Sequence, residues 1–521
     1  MNKETINYKQ ASFVIASEAR QSMLFATRTL ICIASAATLT ACSLMPTYER
    51  PAAPVPALWP TSAGVEPATT RPALQAPIPA FPQGREGAML SWQDYFTDPT
   101  LRQLIDLALT NNRDLRVAVL NIEQARAQLG IRRADQFPTL SAAITGSRTP
   151  TGTGSFINVY SAGLTVTAYE FDFFGRVASL KEQALAQYLA TSEASETVRI
   201  SLIASVAQSW LSLLADEELL QVSLQTLSSR EDSLKLVELK LRYGAASELD
   251  QRLAQTLLES ARVTLAQQTR QRALDENALS LLLGQALPLA VLQSPQPNPL
   301  PAGEGVKPSV PIGLQMQLQQ LHFAELPAGL PSELLVRRPD IRQAEQLLIA
   351  SNANIGAARA AFFPRISLTA GTGSASNELA GLFKGGSWGW TLAPQLVLPL
   401  LDAGRNQAGL ESAQAARGIA VAQYEKAIQT AFREVADALA SRTTLARQLQ
   451  AQQSLLEADA DRSRLTKLRL DNGAASQLDW LDAQRSLFAD QQALVQTRLA
   501  YLQNQIALYK ALGDGTSAST R

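Results

Sequence analysis

Apolar residues recur three and four apart along most of this chain, and in two regions they alternate instead. From Asp98 the segments LRQLIDLALTNN and RVAVLNIEQARAQLG carry the 3.6-residue period of one amphipathic helix running towards Phe137-Pro138. Asp98 before Pro99 reads as its N-cap with proline at the first helical position. Over residues 139–171 Thr, Ser, Gly, Val and Tyr take over, and alternation predicts two strands with the turn at Pro150 to Ser155. Arg365 to Ala370 and Thr391 to Leu398 read as a second strand pair around a Gly- and Ser-rich loop. Longer helical patterns follow each pair. No proline occurs between Gly175 and Gly284 or from Gly404 to the end of the chain. Arg176 to Tyr243 and Arg405 to Asn472 are each 68 residues, about 100 Å of helix at ~1.5 Å per residue. Helices of that length need partner helices with heptad-like apolar stripes. Gly244 and Gly473 fit the left-handed residue that ends an outgoing helix, and Ser247 and Ser476 the N-cap of a return helix reaching Gly284 and Gly513.

The pattern is written twice. Asn111-Asn112-Arg113-Asp114-Leu115-Arg116 returns as Arg337-Arg338-Pro339-Asp340-Ile341-Arg342, and Leu129 to Pro138 returns as Ile355 to Pro364, both at an offset of 226. Gly244 to Asp250 returns as Gly473 to Asp479 at 229. The chain is therefore two copies of one unit of helix, β-hairpin and long helical hairpin, not a short-period solenoid. Residues 91–284 form repeat 1, 285–335 a proline-rich linker, 336–513 repeat 2 and 514–521 a tail. Each strand of roughly ten residues suffices to cross a bilayer when tilted. Four strands cannot close a membrane barrel, and an open edge is not tolerated in lipid. Either the hairpins are soluble, or several chains pool them.

Composition narrows the chemistry. Lys+Arg and Asp+Glu both number 46, so there is no basic surplus for nucleic acid. The single histidine, His322, lies among Leu321, Phe323 and Ala324 and reads as a partly buried, non-catalytic ring. No nucleophile–base set or metal-ligand cluster is evident, so no enzyme, cofactor or metal site is expected. The two cysteines are Cys32 and Cys42. Residues 29–41 form an apolar run too short to span a membrane, flanked by Arg28, which reads as a secretory signal. The signal occupies residues 1–41, and the mixed charges of residues 1–22 make Met23 the expected true start. Leu39-Thr40-Ala41-Cys42 resembles a bacterial lipobox, which makes Cys42 the expected site of S-diacylglycerol and N-acyl attachment; the alternative is plain signal cleavage near Ala41. By the same resemblance, Ser43 rather than Asp in second place implies the outer membrane as destination. Residues 42–90, dense in proline, read as an extended leash.

These features together resemble the outer-membrane efflux lipoproteins of the TolC superfamily, closest to the OprM-type channels. Cys42-Ser43-Leu44-Met45-Pro46, Asn111 to Ala118, Phe171 to Arg176, Leu326 to Ile341, Ile355 to Pro364 and Gln423 to Phe432 carry the likeness in order and spacing. It implies an α+β membrane protein: a homotrimer whose 12-stranded transmembrane β-barrel, four strands per chain, continues into a long periplasmic α-helical barrel. Its partners would be a periplasmic membrane-fusion (adaptor) protein, an inner-membrane pump of the resistance–nodulation–division (RND) type, and outer-membrane lipid. Energy would come from that pump.

By the same resemblance, Leu478-Asp479-Trp480-Leu481-Asp482-Ala483-Gln484-Arg485 is the periplasmic gate segment. Leu478 and Asp482, four apart on one helix face, would give an apolar constriction and a carboxylate ring. Asp479 is a second candidate ring, Asp250 its counterpart in repeat 1, and Arg485 a partner for Asp482. Acidic rings favour cations, so mild cation selectivity is expected. Arg242, Gly244 and Ser247, with Arg469, Gly473 and Ser476, resemble the family's adaptor-contacting tip. Arg469 stands four residues before Gly473, whereas Arg242 stands two before Gly244. The alternative at these positions is plain helix capping and surface charge. The rival functions are metal-ion efflux or protein secretion on the same fold, and a structural periplasmic coiled-coil lipoprotein.

Overall fold

The computed structural model describes residues 43–56, 90–152, 154–288, 318–326 and 331–513. Cys42, the signal segment, most of the leash and most of the linker lie outside them. The elements are α1 (Trp92–Tyr95), α2 (Pro99–Asn111), α3 (Arg113–Ala134), β1 (Leu140–Pro150), β2 (Phe156–Phe171), α4 (Arg176–Arg242) and α5 (Glu248–Leu283). After the linker come α6 (Pro331–Arg337), α7 (Pro339–Ala360), β3 (Arg365–Ser376), β4 (Trp388–Val397), α8 (Arg405–Asp471) and α9 (Gln477–Leu512). The two repeats agree residue for residue in their long helices: α4 and α8 are each 67 residues, α5 and α9 each 36.

Two units partition the chain. One takes residues up to Arg50, Ala125–Tyr188 and Gln346–Val421; the other takes Pro51–Gln124, Leu189–Glu345 and Ala422–Arg521. The second unit holds the helical core, where Ile203, Val206, Ala207, Trp210, Leu211, Leu213 and Leu214 of α4 are all but inaccessible. By length and composition α4 has a window apolar enough to cross a bilayer, but 61% of that window is buried inside the protein. Its apolarity is that of a packed helix, not of a lipid-facing one.

The single helix expected from Asp98 to Phe137 is instead two, broken at Asn112 (φ −62°, ψ 132°). Asn112 caps α3 through Oδ1, which accepts from Leu115 N at 3.0 Å, while its Nδ2 donates to the Leu282 carbonyl at 2.9 Å. That carbonyl is one of those left unpaired at the end of α5, just before left-handed Gly284. Repeat 2 builds the same joint with a different side chain. Arg338 donates to the Ala511 carbonyl at 2.9 Å, just before left-handed Gly513, and is held by Asp340 and by Glu434 at 2.8 Å. An aromatic cluster adds to this unit: Tyr95 stacks on Tyr509 at 4.4 Å, with Phe96 and Phe323 edge-on. The bridge between Phe96 and Phe323 sends Phe323 inward and leaves His322 exposed, not partly buried as expected. Its Nδ1 sits 2.9 Å from the Gln320 carbonyl.

The first unit is built on one antiparallel sheet in the order β1-β2-β3-β4, so the hairpins of the two repeats join along β2 and β3. The paired register sorts the side chains. Leu140, Ala142 and Ile144 align with Leu164 and Val166, then with Ala370, Leu368 and Ile366, then with Trp388, Trp390, Leu392 and Leu396. The other face carries Ser141, Thr145, Ser161, Thr165, Ser367, Thr369, Thr391 and Gln395. The apolar face is bare: Ile144 is 82% exposed and Trp388 and Trp390 are each 68% exposed. Apolar and hydroxyl residues alternating on strands of this length, with aromatics near the strand ends, is the pattern of a membrane barrel wall.

β2 runs to 16 residues, not ten, and contains a one-residue bulge between Val166 and Tyr169, where Ala168 has φ +50°. The bulge reverses the parity of the strand end. Tyr169 and Phe171 join the apolar face opposite Leu368 and Ile366, and Glu170 turns to the polar face. There Glu170 accepts a bidentate pair from Arg176 at 2.8 and 2.7 Å and a third bond from Arg365 at 2.7 Å. One carboxylate thus ties the end of β2 to the starts of α4 and β3.

The leash is not loose at its beginning. The Pro46 carbonyl accepts from Asn352 at 2.7 Å and the Leu44 carbonyl from Arg359 at 3.2 Å.

Candidate functional site

The candidate gate and tip residues lie in the turns between α4 and α5 and between α8 and α9 and in the helix ends beside them. Each outgoing helix ends on a left-handed glycine, Gly244 at φ +72° and Gly473 at φ +71°. The next N–H reaches back to the helix: Ala245 N to Lys240 O and Ala474 N to Arg469 O, both 2.8 Å. That bond, with Gly244 N to Leu241 O and Gly473 N to Leu470 O at 3.0 Å, is the pattern that closes a helix C-terminus. Ser247 and Ser476 then cap the return helices in full capping boxes with Asp250 and Asp479.

The boxes fix what those aspartates do. Asp479 Oδ2 accepts from Ser476 Oγ at 2.7 Å and Ser476 N at 2.9 Å, and Asp250 does the same with Ser247. The serine hydroxyl bond, then the serine N–H bond, hold both carboxyls below the ordinary carboxylate range. Both aspartates therefore stay ionised at neutral pH, and the caps are lost only as pH falls through their lowered pKa values.

Asp482, one turn further on, is bound differently. Arg485 donates to it at 2.6 Å, as the sequence predicted, and Arg462 reaches it across the hairpin from α8 at 2.9 Å. Arg462 also lies 3.6 Å from Asp459. Leu478 is 55% exposed, and Leu249, its repeat 1 counterpart, is 69% exposed. Trp480 is buried, with Lys467 Nζ 5.1 Å from its ring centroid and 2.5 Å from Asp471.

Sequence reading missed several participants. Lys240, not Arg242, occupies the place of Arg469, because the 229-residue offset carries 469 to 240. So the first copy keeps a basic residue four before its glycine after all. Arg462 could not be found, since its pairing joins two helices. Nor could buried Arg230, which donates from α4 to Gln484 on α9. Arg242, Gly244, Ser247, Arg469, Gly473 and Ser476 are all exposed around the two turns, and Arg469 donates to the Ala474 carbonyl at 3.1 Å. Among the described residues no group of His, Cys, Asp or Glu is arranged to hold a metal ion.

A second charged constellation lies within the helical unit. Asp216 of α4 is pushed up to about 7, first by burial, then by its hydrogen bond to Asp275 of α5 and that residue's charge; Arg272 opposes. Arg272 is itself engaged by Glu217 at 2.7 Å and Glu276 at 3.2 Å. An acid raised in the folded state favours folding at low pH, so this pair should lose stability as pH climbs from about 4 through about 7. Asp216→Asn is expected to raise the thermal midpoint at pH 8 and to leave it nearly unchanged at pH 4. Parallel pH dependences for the two proteins would refute this.

An exposed two-faced sheet joined to paired helices of this length defines an outer-membrane channel. A profile described as "Outer membrane efflux protein" matches residues 104–285 and 330–514, and the chain belongs to that family. Toluene efflux pump outer membrane protein TtgC of Pseudomonas putida is 46% identical over 497 residues, which is 94% of this chain and 96% of that protein. OprJ of Pseudomonas aeruginosa is 43% identical over 490 residues, 92% and 94% of the two chains. Among solved structures, the open state of the Neisseria gonorrhoeae MtrE outer membrane channel aligns with a TM-score of 0.76 at 36% identity, covering 92% of this chain and all of that one. CusC aligns with a TM-score of 0.74 at 38% identity, over 91% of this chain and all of CusC. The chain is an efflux channel of the outer membrane, with the TolC-like fold.

Proposed function

We propose that three copies of this chain form the passive exit duct of a tripartite pump. The duct receives toxic organic compounds from a periplasmic adaptor protein and an inner-membrane RND pump. The observation that carries this reading is the sheet. Four strands with a bare apolar face leave β1 and β4 unpaired on their outer sides within the described chain, and lipid does not tolerate open edges. Three copies supply 12 strands, enough to close. The names of the relatives, which include toluene, solvent and antibiotic efflux pumps, favour organic substrates.

In this reading Leu478 and Asp482 line the periplasmic constriction, with Arg462 and Arg485 holding Asp482 in the closed arrangement. Asp479 and Asp250 add fixed negative charge at the tips. The glycine turns, with Lys240 and Arg469 beside them and Leu249 exposed near them, form the adaptor contact. Transport here needs no cofactor; the lipid on Cys42 is an anchor.

Growth of a strain lacking this gene tests the proposal. Hypersensitivity to unrelated organic antibiotics and solvents, reversed by the wild-type gene, is expected. Sensitivity confined to copper, silver or cobalt salts, or none at all, would overturn it. Gly473 separates contact from capping. A Cβ there meets nothing within 4 Å, but φ +71° disfavours most side chains by about 1–2 kcal/mol. Gly473→Asn suits the left-handed region, whereas Gly473→Val does not. Export lost in both variants with normal trimer abundance would assign the glycine to the adaptor contact; export kept in Gly473→Asn would return it to capping.

A further inference from the structure

We propose that Asn352, Gly356 and Arg359 of α7 form a docking site for the segment immediately behind Cys42. The site fixes the depth at which a lipid on that cysteine enters the membrane. The inference rests on the lipid-anchor reading for its consequence, but the docking stands on its own geometry.

The three residues are spaced four and three apart, so they share one helix face. Asn352, 2% exposed, donates to the Pro46 carbonyl at 2.7 Å, and Arg359 donates to the Leu44 carbonyl at 3.2 Å. Between them Gly356 leaves room for Met45. A Cβ there would lie 2.9 Å from Met45 Cα and 2.5 Å from Ser179 Oγ on α4, closer than side chains approach. Both hydrogen bonds go to main-chain carbonyls, so the site holds the backbone of Leu44 to Pro46, bent at Met45, whatever side chains it bears.

The direction of the segment gives the site its meaning. Pro46 lies at Asn352 and Leu44 at Arg359, so the chain read backwards follows α7 towards its C-terminal end. That end at Ala360 is followed within five residues by Arg365, the first residue of β3. Cys42 is two residues from Leu44, at most about 7 Å of chain. Leu44 is therefore held close to the level where the strands begin, which in this proposal is the inner boundary of the membrane. Repeat 1 provides a contrast. Gly130 and Arg133 of α3 stand at the places of Gly356 and Arg359, yet a Cβ on Gly130 would meet nothing within 4 Å. Two of the three positions recur, with Arg126 where Asn352 stands, and among the described residues only the second copy seats a chain.

The test uses the full chain in outer-membrane preparations, with Met45→Cys as the thiol probed by a bulky membrane-impermeant maleimide. Labelling should be slow in that background and about tenfold faster or more when Gly356→Leu is added, with the heat-modifiable oligomer band retained. Should Gly356→Leu fail to assemble, Asn352→Ala with Arg359→Gln removes both bonds without adding bulk and should accelerate labelling similarly, each lost bond being worth about a few-fold. A fluorophore on Ser43→Cys, quenched by lipids brominated near the headgroup, should lose quenching in the same variants. Unchanged labelling and quenching in the double variant would overturn the docking site. The chain without Met45→Cys serves separately: maleimide labelling there would reveal an unacylated Cys42, which refutes the anchor and leaves the docking to be judged by the rates.

Discussion

Deletion of Thr167 and Ala168 together is expected to abolish assembly of the heat-modifiable oligomer in the outer membrane. Ala168 is the extra residue of the bulge, so its removal alone leaves Tyr169 opposite Leu368 and every face unchanged, whereas removing two residues carries the strand end one position past its partners. Alternation would then place Glu170 opposite Leu368, on the face that carries Leu140, Ile144, Leu392 and Leu396, and would turn Tyr169 and Phe171 to the polar side. Two losses follow. An ionised carboxylate enters the lipid-facing layer, and Arg176 and Arg365 lose the group that binds them at 2.7–2.8 Å. Breaking a well-formed ion cluster by removing its shared partner costs about 3–5 kcal/mol when buried; here the carboxylate is sheltered and the arginines half-exposed, so the lower end applies. Ala168→Gly keeps the residue count and suits φ +50°, so it should assemble normally. Deletion of Ala168 alone should do the same, and if the double deletion also assembled normally, the face on which Glu170 lies would not govern assembly.

The second large effect is expected at Asp482. Asp482→Ala should raise the open probability of the channel in planar bilayers, and the Asp479→Ala/Asp482→Ala pair should also erase its cation selectivity. Arg462 and Arg485 both bind Asp482, yet all three side chains are substantially exposed. Exposed pairs contribute about 0.2–1 kcal/mol each. In the proposed trimer, two pairs in each chain then amount to roughly 1–6 kcal/mol, enough to move a two-state equilibrium by a factor of about ten or more. A lock of that size is strong when summed around an axis and weak at any single bond, which suits a closure that a docking partner must release. Asp479→Ala alone should do less to the closed state, since its carboxylate is spent on its own serine cap. Unchanged conductance and selectivity in the double variant would remove both residues from the gate.

Sequence alone determined whatever depends on neighbours along the chain. The 226- and 229-residue offsets established the duplication. The absence of proline and the Gly-Ala-Ala-Ser turns fixed two hairpins of equal length, with glycine ending one helix and serine starting the next. These features were legible because capping and periodicity act over a few residues. Even Lys240 was readable in principle, by carrying Arg469 back through the offset. Tertiary structure decided the rest. The break at Asn112 is only half local: its Oδ1 caps α3 at Leu115 N, three residues on, while its Nδ2 answers a carbonyl 170 residues away on Leu282. The Ala168 bulge is set by pairing with β3, and only that pairing turns Glu170 from the lipid face to the arginines. Arg462, Arg230 and the grip of α7 on Leu44 and Pro46 likewise join segments that sequence distance separates. Local propensity chooses the elements; which side chains answer one another's unpaired charges and carbonyls is settled only when those elements pack.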